Sequence, residues 1–133
     1  MSEAVVLEPI PPVREDESLI RHIHPDHWNH DEDRPISYAF AHPRLSVDRE
    51  EMRSADVSCK LRPAWGYCRF LVSHATALGL EVQAAPLGID TLPLDTTPTL
   101  EYNPAHAMVM GPKARVRKLR DDAVRIYRPG ECP

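Results

Sequence analysis

Four of the seven histidines in this chain of 133 residues lie within nine positions, beside several acids and a tryptophan. Histidine is the commonest protein metal ligand and titrates nearest to neutral pH, so chemistry is most expected in this cluster. If the first two lie on one strand face, they could hold a tetrahedral zinc ion with a later histidine or the acids 31–33. Alternatively, all four are surface histidines in a polar loop, with Trp28 packed beneath them. The four are His22, His24, His27 and His30.

Residues 22–27 read H-x-H-x-D-H, the string formed by His22, His24, Asp26 and His27. This string resembles the metal signature of the metallo-β-lactamase-like hydrolases, in which imidazoles and a carboxylate hold a zinc pair or a similar di-metal site. The resemblance implies that these four residues are metal ligands. The family pattern also needs a longer chain, two packed sheets and distant ligands, so the prediction is that no cofactor binds, with zinc as the alternative. The residues left for distant ligands are His42, Asp48, His74 and His106.

A second candidate site combines residues that are far apart in the sequence. Residues 105–110 form an apolar run that predicts an interior strand. His106 lies at the start of this strand, where an unpaired imidazole is costly. One interpretation is a structural histidine with a satisfied partner. The other is a pocket in which His24, Asp48 and His106 meet across neighbouring strands for acid–base chemistry or ligand binding. Ser46 and Asn103 would bind the ligand beside them, unless Ser46 is simply a strand-edge serine and Asp48 a helix N-cap.

Other kinds of catalytic site have little support in the sequence. The chain has no G-x-S-x-G nucleophile elbow, and no cysteine has a local catalytic signature. Its five glycines are spread singly, which excludes a glycine-rich phosphate loop. Three cysteines without a C-x-x-C pair are typical of reduced thiols, and Cys68 is expected in the core.

The predicted location is the cytoplasm. No apolar run approaches the roughly 20 residues that span a bilayer. The N-terminus has neither a basic start nor an apolar stretch of secretory length, so no signal peptide is expected.

Fourteen prolines divide the chain into short elements. Alternating apolar residues predict strands at 19–24, 36–40 and 45–48, and the run 80–84 is expected to be a further strand. Apolar residues spaced by three and four predict a helix from Pro63 to the capping Gly79 and a final helix over 113–128. The sequence therefore predicts an α+β domain with a small, mainly antiparallel sheet of four to five strands and two main helices on one face. The predicted organisation is an extended acidic arm at 1–17, a single domain at 18–128 and a tail at 129–133.

Charge is distributed unevenly between the two ends of the chain. Residues 1–33 carry nine acids and two bases, whereas residues 111–133 carry seven bases and three acids. The basic face of the last predicted helix includes Arg115 and Lys118, which are candidate contacts for an acidic partner or for nucleic acid. A solvated helix face is the simpler explanation, because Tyr127 is the only aromatic there and the whole chain is acidic.

Beyond these local patterns, the layout of residues 19–111 is similar to a family of small uncharacterised bacterial proteins. The resemblance is carried by Arg21-x-x-His24-Pro25-x-His27-Trp28, Ser37-x-Ala39-Phe40, Leu45-Ser-Val-Asp48-Arg49 and Asn103-Pro104-Ala105-His106-Ala107. It implies no established activity, but it does imply that His24 and His106 matter more than His22 or His30.

The leading expectation is a non-catalytic binding or accessory subunit of a larger bacterial assembly. Its contacts with another protein would be made through residues 1–17 and the long loop 86–104, which is also a candidate lid. The alternative is a metal-dependent or histidine-dependent hydrolase that uses His24, His27, Asp48 and His106. Nucleic-acid contact through the basic C-terminal helix is a weaker alternative.

Overall fold

A six-stranded antiparallel sheet forms the centre of the described part of the chain. The structure, a computed structural model, describes residues 8–88, 91–92, 99–100 and 102–133, with only the backbone at 8 and 91–92. The strand order is β6-β3-β1-β2-β5-β4, and every neighbouring pair is antiparallel. The α+β prediction is confirmed, although the sheet is larger than the four to five strands expected. The strands are β1 (Ser18–Ile23), β2 (Arg44–Arg49), β3 (Gly66–Leu71), β4 (Glu81–Ala84), β5 (His106–Met110) and β6 (Val124–Tyr127).

Short helices pack on both faces of the sheet, not on one face as predicted. Side chains of α2, α3 and α4 join the larger hydrophobic core, whereas α1 packs on the opposite face. The Ser54 side chain caps α1 by accepting a hydrogen bond from the Val57 amide. No helix in the described ranges is long and apolar enough to cross a membrane. The α-helices are α1 (Ala55–Leu61), α2 (Val72–Ala77), α3 (Lys113–Val116) and α4 (Leu119–Asp122), and short 3₁₀ helices occupy Pro25–His27 and Ser37–Phe40.

The alternation of β1 explains why the sheet has two cores. Leu19 and Ile23 point into the larger core, where they meet Phe70 of β3. Ile20 points to the other face and joins a smaller cluster with Tyr67 and the apolar side of α1. Since this smaller cluster covers only part of that face, polar side chains of β2 and β5 remain beside it at the edge of a cleft.

Four predicted strands are confirmed: 19–24, 45–48, 80–84 and 105–110 correspond to β1, β2, β4 and β5. The predicted strand 36–40 is wrong, because Ser37–Phe40 forms a 3₁₀ helix with Tyr38 exposed and Phe40 buried.

The predicted helix starting at Pro63 is wrong in its first half. Residues 66–71 are instead the strand β3, and only Val72–Ala77 is helical. β3 lies between β6 and β1 and is covered on both faces, so burial of Tyr67, Cys68 and Phe70 hides its alternation. Gly79 ends the helical segment with φ of 74°, as the capping prediction required.

The predicted C-terminal helix 113–128 is also wrong. The chain forms the short helices α3 and α4, and then turns into β6, which pairs with β3 at the edge of the sheet. Val116 and Leu119 are buried as the helical pattern predicted. Ile126, however, belongs to a strand and packs in the smaller cluster. Nucleic-acid contact through this region stays a prediction, without the continuous basic helix that motivated it.

The described part of the N-terminal arm lies on the protein's own surface. Glu8–Pro9 pairs with Thr91–Leu92 in a two-stranded ribbon. Arg49 donates hydrogen bonds to the carbonyl oxygens of Pro11 and Pro12. Residues 1–7 lie outside the described residues. A protein contact through this arm therefore stays a prediction, and part of its backbone is already bound within the chain.

The prediction that the cysteines are reduced thiols is wrong for two of the three. Cys59 of α1 and Cys132 of the C-terminal tail form a disulfide, whereas Cys68 is free and buried. The spacing rules failed because the two partners are 73 residues apart in sequence and meet only through the fold. Since disulfides are rare in reducing compartments, the cysteines no longer support the predicted cytoplasmic location.

Candidate functional site

A cleft of about 450 Å³ opens where β1 and β2 separate. The two strands pair only at Leu19–Arg49 and Ile20–Asp48. Beyond this point Arg21 spans the gap by donating hydrogen bonds to the carbonyl oxygens of Ser46 and Ala39. The volume falls within the range of small-molecule sites, about 300–1,000 Å³. The residues lining the cleft are Arg21, His22, His24, His27, His42, Ser46, Val47, Asp48, Arg53, Arg62, Trp65, Leu87, Leu100, Asn103 and His106.

Positive and ionisable side chains dominate this cleft. Five of the chain's seven histidines line it, together with three arginines, and Asp48 is the only carboxylate among its described lining residues. Burial, together with the positive charge of Arg62, lowers the pKa of Arg21 to about 10. Burial also lowers the pKa of His42, and the nearby charges of Arg21, His27 and Lys113 act in the same direction. The cleft is therefore an electropositive site.

Asp48 holds the floor of the cleft through a buried polar network. Its Oδ1 accepts a hydrogen bond of 2.7 Å from the Asn103 amide, and its Oδ2 accepts one of 3.4 Å from the Ser58 hydroxyl. His22 Nε2 lies 2.9 Å from Oδ2, but it is not aligned for a hydrogen bond and has no partner among the described residues. Burial raises the pKa of Asp48, but His22, Asn103 and Arg53 together outweigh burial, so the net shift is downward.

The two ring nitrogens of His106 contact a carbonyl oxygen and a hydroxyl, and the carbonyl contact identifies the tautomer of the neutral ring. Its Nδ1 lies 2.7 Å from the carbonyl oxygen of Ala85, and its Nε2 lies 3.2 Å from the Ser46 hydroxyl. A carbonyl oxygen only accepts, so Nδ1 carries the proton of the neutral ring. Nε2 is then an acceptor, and the Ser46 hydroxyl, with one proton to donate, lies 3.2 Å from Nε2 and 3.6 Å from Met108 Sδ. The order of serine, imidazole and orienting acceptor is also the order found in sites that activate a nucleophile.

Aromatic and imidazole rings form the outer wall of the cleft. The rings of His24 and His27 are 5.7 Å apart, and His24 also meets the edge of Trp65 at 5.2 Å. Tyr38 continues this row between His27 and His42. Of these side chains only His27 lies where the sequence predicted a polar loop, whereas Tyr38 lies in the 3₁₀ helix that replaces a predicted strand and Trp65 follows α1.

The residues of the predicted pocket all line the cleft, but they do not form one hydrogen-bonded group. His106 is directly opposite Asp48 in the β2–β5 register, yet its ring bonds Ser46, the next residue on the same face of β2. Asp48 is instead bound by Asn103 and Ser58. Ser46 and Asn103 were predicted to bind ligand, and both line the cleft. Ser46 contacts the ring of His106, whereas Asn103 binds the carboxylate of Asp48. The other two predicted binding residues, Arg115 and Lys118, are exposed and do not line it.

The predicted metal ligands lie on two different elements, because β1 ends between His22 and His24 and the 3₁₀ helix Pro25–His27 follows. His22 faces Asp48, whereas His24 accepts a hydrogen bond from the Asp26 amide at the start of the first 3₁₀ helix. Among the described residues, no group of three or more histidine, cysteine or acidic side chains could hold a metal ion. Zinc binding by His22, His24, Asp26 and His27 stays a prediction, without a formed site in this region.

Comparison with protein-family models, curated proteins and solved structures returns no match for this chain. Function therefore has to be inferred from the chemistry of the cleft. The resemblances noted in the sequence stay predictions.

Several residues of the cleft have no sequence signal that would have identified them. Arg53 is buried and donates hydrogen bonds to the carbonyl oxygens of Thr99 and Tyr102, which attaches the end of the long loop to the site. Arg62 and Trp65 stack on each other at 4.3 Å and lie after α1, a helix that the periodicity did not predict. Much of the loop predicted as a lid or partner segment lies outside the described residues. Its described residues Leu87, Leu100 and Asn103 line the cleft.

Proposed function

We propose that the protein is a histidine-dependent hydrolase, with Ser46 as the nucleophile and His106 as the general base. The observation that carries this proposal is the chain of contacts from Ser46 Oγ to His106 Nε2 and from His106 Nδ1 to the Ala85 carbonyl. The Ala85 oxygen would hold the imidazole in the tautomer that accepts a proton, as an orienting group does in catalytic triads. Because Ser46 is exposed at the cleft, a substrate can reach its hydroxyl.

The reaction that this geometry favours is hydrolysis of an ester. Ser46 Oγ attacks the carbonyl carbon while His106 Nε2 takes the hydroxyl proton. When the bond to the leaving alcohol breaks, His106 returns that proton to the alcohol and an acyl group remains on Ser46. A water molecule then attacks the acyl group, with His106 again as the base, and releases the acid and free Ser46.

The other polar side chains of the cleft would support this chemistry from a distance. Asp48, bound by Asn103 and Ser58, keeps β2 and the segment before β5 in register, and so places Ser46 beside His106. His24 and His27 lie at the outer wall, where they would contact the substrate. Asp48 is a positioning residue in this proposal, because its carboxylate makes no bond to Ser46 or His106.

The proposal is tested by ester hydrolysis with p-nitrophenyl acetate. We expect Ser46→Ala and His106→Gln each to lower the rate by about 100-fold or more, because each removes one member of the nucleophile–base pair. Ser37→Ala and His30→Gln are matched controls, since both residues are exposed and neither lines the cleft. Full activity in a folded Ser46→Ala protein would overturn the proposal.

A second proposal is the accessory subunit expected from the sequence, and the observation that favours it is a set of exposed apolar side chains in the cleft and beside it. Leu87 and Leu100 line the cleft, and Tyr38, which is 59% exposed, packs against the lining residues His27 and His42. Tyr102, which is 51% exposed, precedes the lining residue Asn103. Exposed apolar side chains that are grouped together commonly mark a protein contact. If this proposal is right, Tyr38→Ser with Tyr102→Ser abolishes co-purification with a specific partner while the folded monomer is retained. An esterase activity that depends on Ser46 would argue against a purely accessory role.

A further inference from the structure

We propose that the cleft recognises a small organic anion, in which an oxyanion is next to an aromatic or apolar group. The observation is the meeting of Arg21, Arg53 and Arg62 with Trp65 in one cleft. This inference names the substrate class of the proposed hydrolase and in that sense rests on it. Binding of such an anion is nevertheless measurable without any turnover.

The first step of the argument is the charge balance of the lining. Three guanidinium groups face a single carboxylate among the described lining residues. That carboxylate, Asp48, already accepts hydrogen bonds from Asn103 and Ser58 and lies 2.9 Å from His22. The arginines therefore have little compensating charge in the cleft, and a bound anion would supply it.

The three arginines differ in how many of their donors are already used. Arg21 donates to the Ala39 and Ser46 carbonyl oxygens, and Arg53 donates to two carbonyl oxygens of the long loop. The Arg62 guanidinium makes no hydrogen bond to any described residue, and its plane lies over Trp65 at 4.3 Å. Arg62 is therefore the arginine whose donors are available to an oxyanion, while Arg21 and Arg53 contribute charge from fixed positions.

The proximity of like charges in the cleft favours an anion there. Arg21 and Arg62 line the same cleft, and the charge of Arg62 helps to lower the pKa of the partly buried Arg21 guanidinium. Two neighbouring cations repel each other less when an anion lies between them, so binding would be strengthened by relief of this repulsion. The positive potential of these arginines would also attract a substrate that carries a phosphate or a carboxylate.

The apolar lining determines the rest of the ligand. Trp65 is only partly buried, and Leu87 and Leu100 are exposed residues of the long loop that line the same cleft. An aromatic or branched apolar group would cover these side chains while the oxyanion reaches Arg62. Burial of apolar surface would then add to the electrostatic attraction. Inorganic phosphate alone would gain only the electrostatic part.

The test is calorimetric titration of the full chain, with the Ser46→Ala variant used to prevent turnover. Phenyl phosphate and benzoate represent the two oxyanion classes, benzyl alcohol is the neutral analogue, and inorganic phosphate lacks the aromatic group. We expect at least one aromatic anion to bind about tenfold more tightly than benzyl alcohol, and its affinity to fall about tenfold in Arg62→Gln. Arg117→Gln is the matched control, because Arg117 is exposed and does not line the cleft.

The salt dependence provides a second measurement that needs no folded Arg62 variant. Raising the salt concentration should weaken binding of the aromatic anion and leave benzyl alcohol nearly unchanged. Equal affinities for anion and neutral analogue, or equal affinities in Arg62→Gln and the control, would overturn the inference. If an anion binds but wild-type protein hydrolyses no ester, the proposed hydrolase fails and the anion site stands. If hydrolysis depends on Ser46 but neither aromatic anion binds, only the anion site fails.

Discussion

Asp48 and Arg49 are neighbours in β2, but they lie on opposite faces of the sheet and in opposite kinds of surroundings. Arg49 is completely buried, and its guanidinium donates four hydrogen bonds, to both carboxylate oxygens of Glu17 and to the carbonyl oxygens of Pro11 and Pro12. Asp48 is nearly as buried, yet its network borders a cleft and includes a His22 nitrogen that lies 2.9 Å from the carboxylate without forming a hydrogen bond. A network whose groups are paired within the chain holds structure together, whereas a network that borders a cleft can also bind a ligand.

The covered face should therefore be the more sensitive to loss of a charge. Replacing Glu17 by Ala leaves the buried Arg49 cation with only the half-exposed Glu51 carboxylate, 3.7 Å away, as a counter-charge, and this is expected to lower the free energy of unfolding by about 3–5 kcal/mol. Urea denaturation measures this loss. The matched control is Arg128→Ala, which breaks the exposed Arg128–Glu131 pair outside this network and should change stability little. Similar effects of the two substitutions would show that the Glu17–Arg49 pair does not hold the arm in place.

The disulfide should have the next largest effect, because it ties the tail to α1, the helix that covers part of the cleft face. Closing a segment with a sequence separation of 73 residues restricts the unfolded chain, so reduction is expected to cost about 2–4 kcal/mol. Thermal unfolding with and without reductant measures this change. A Cys132→Ala variant should be insensitive to reductant, and a similar response in this variant would contradict the prediction.

Asp48 should make stability depend on acid pH. Burial raises its pKa, but His22, Asn103 and Arg53 bring the net shift below the ordinary carboxyl value. Its contribution is therefore fully present above the pKa of the unfolded chain and is lost as the pH falls through the lower folded pKa. Asp48→Asn should cost about 1–2 kcal/mol at neutral pH and flatten the acid side of the stability profile. Asp31→Asn is the exposed control, and an unchanged profile in Asp48→Asn would contradict the prediction.

Ser46 should show the smallest effect on stability and the largest on activity. The residue is exposed, so Ser46→Ala is expected to change the free energy of unfolding by less than about 0.5 kcal/mol. Measured beside the ester hydrolysis rate, this result would separate the cleft chemistry from the packing that surrounds it. A large loss of stability would instead make Ser46 a structural residue of β2.

Local patterns were informative where one face of an element is buried and the other is not. The alternation of residues 19–24 and 45–48 predicted β1 and β2, and Gly79 predicted the end of α2. The same method failed for β3, which is covered on both faces, and for residues 113–128, where a helical spacing continues by chance from α4 into β6. The spacing of apolar residues shows which residues are buried. It identifies the element only when one face is buried, because an element buried on two faces, or a segment that turns from a helix into a strand, has no single period.

The sequence by itself determined which side chains are available for chemistry: a cluster of histidines, and the strand residues Ser46, Asp48 and His106. It also determined that Ser46 and Asp48 share a face, because alternate residues of a strand point the same way. Only the tertiary structure decided the pairing. The β2–β5 register places His106 opposite Asp48, but its ring contacts the Ala85 carbonyl and Ser46. Arg21 of β1 and the arginines on either side of α1 meet in the same cleft. Strand register and a backbone carbonyl from a distant segment are long-range features, so no local spacing could have predicted them.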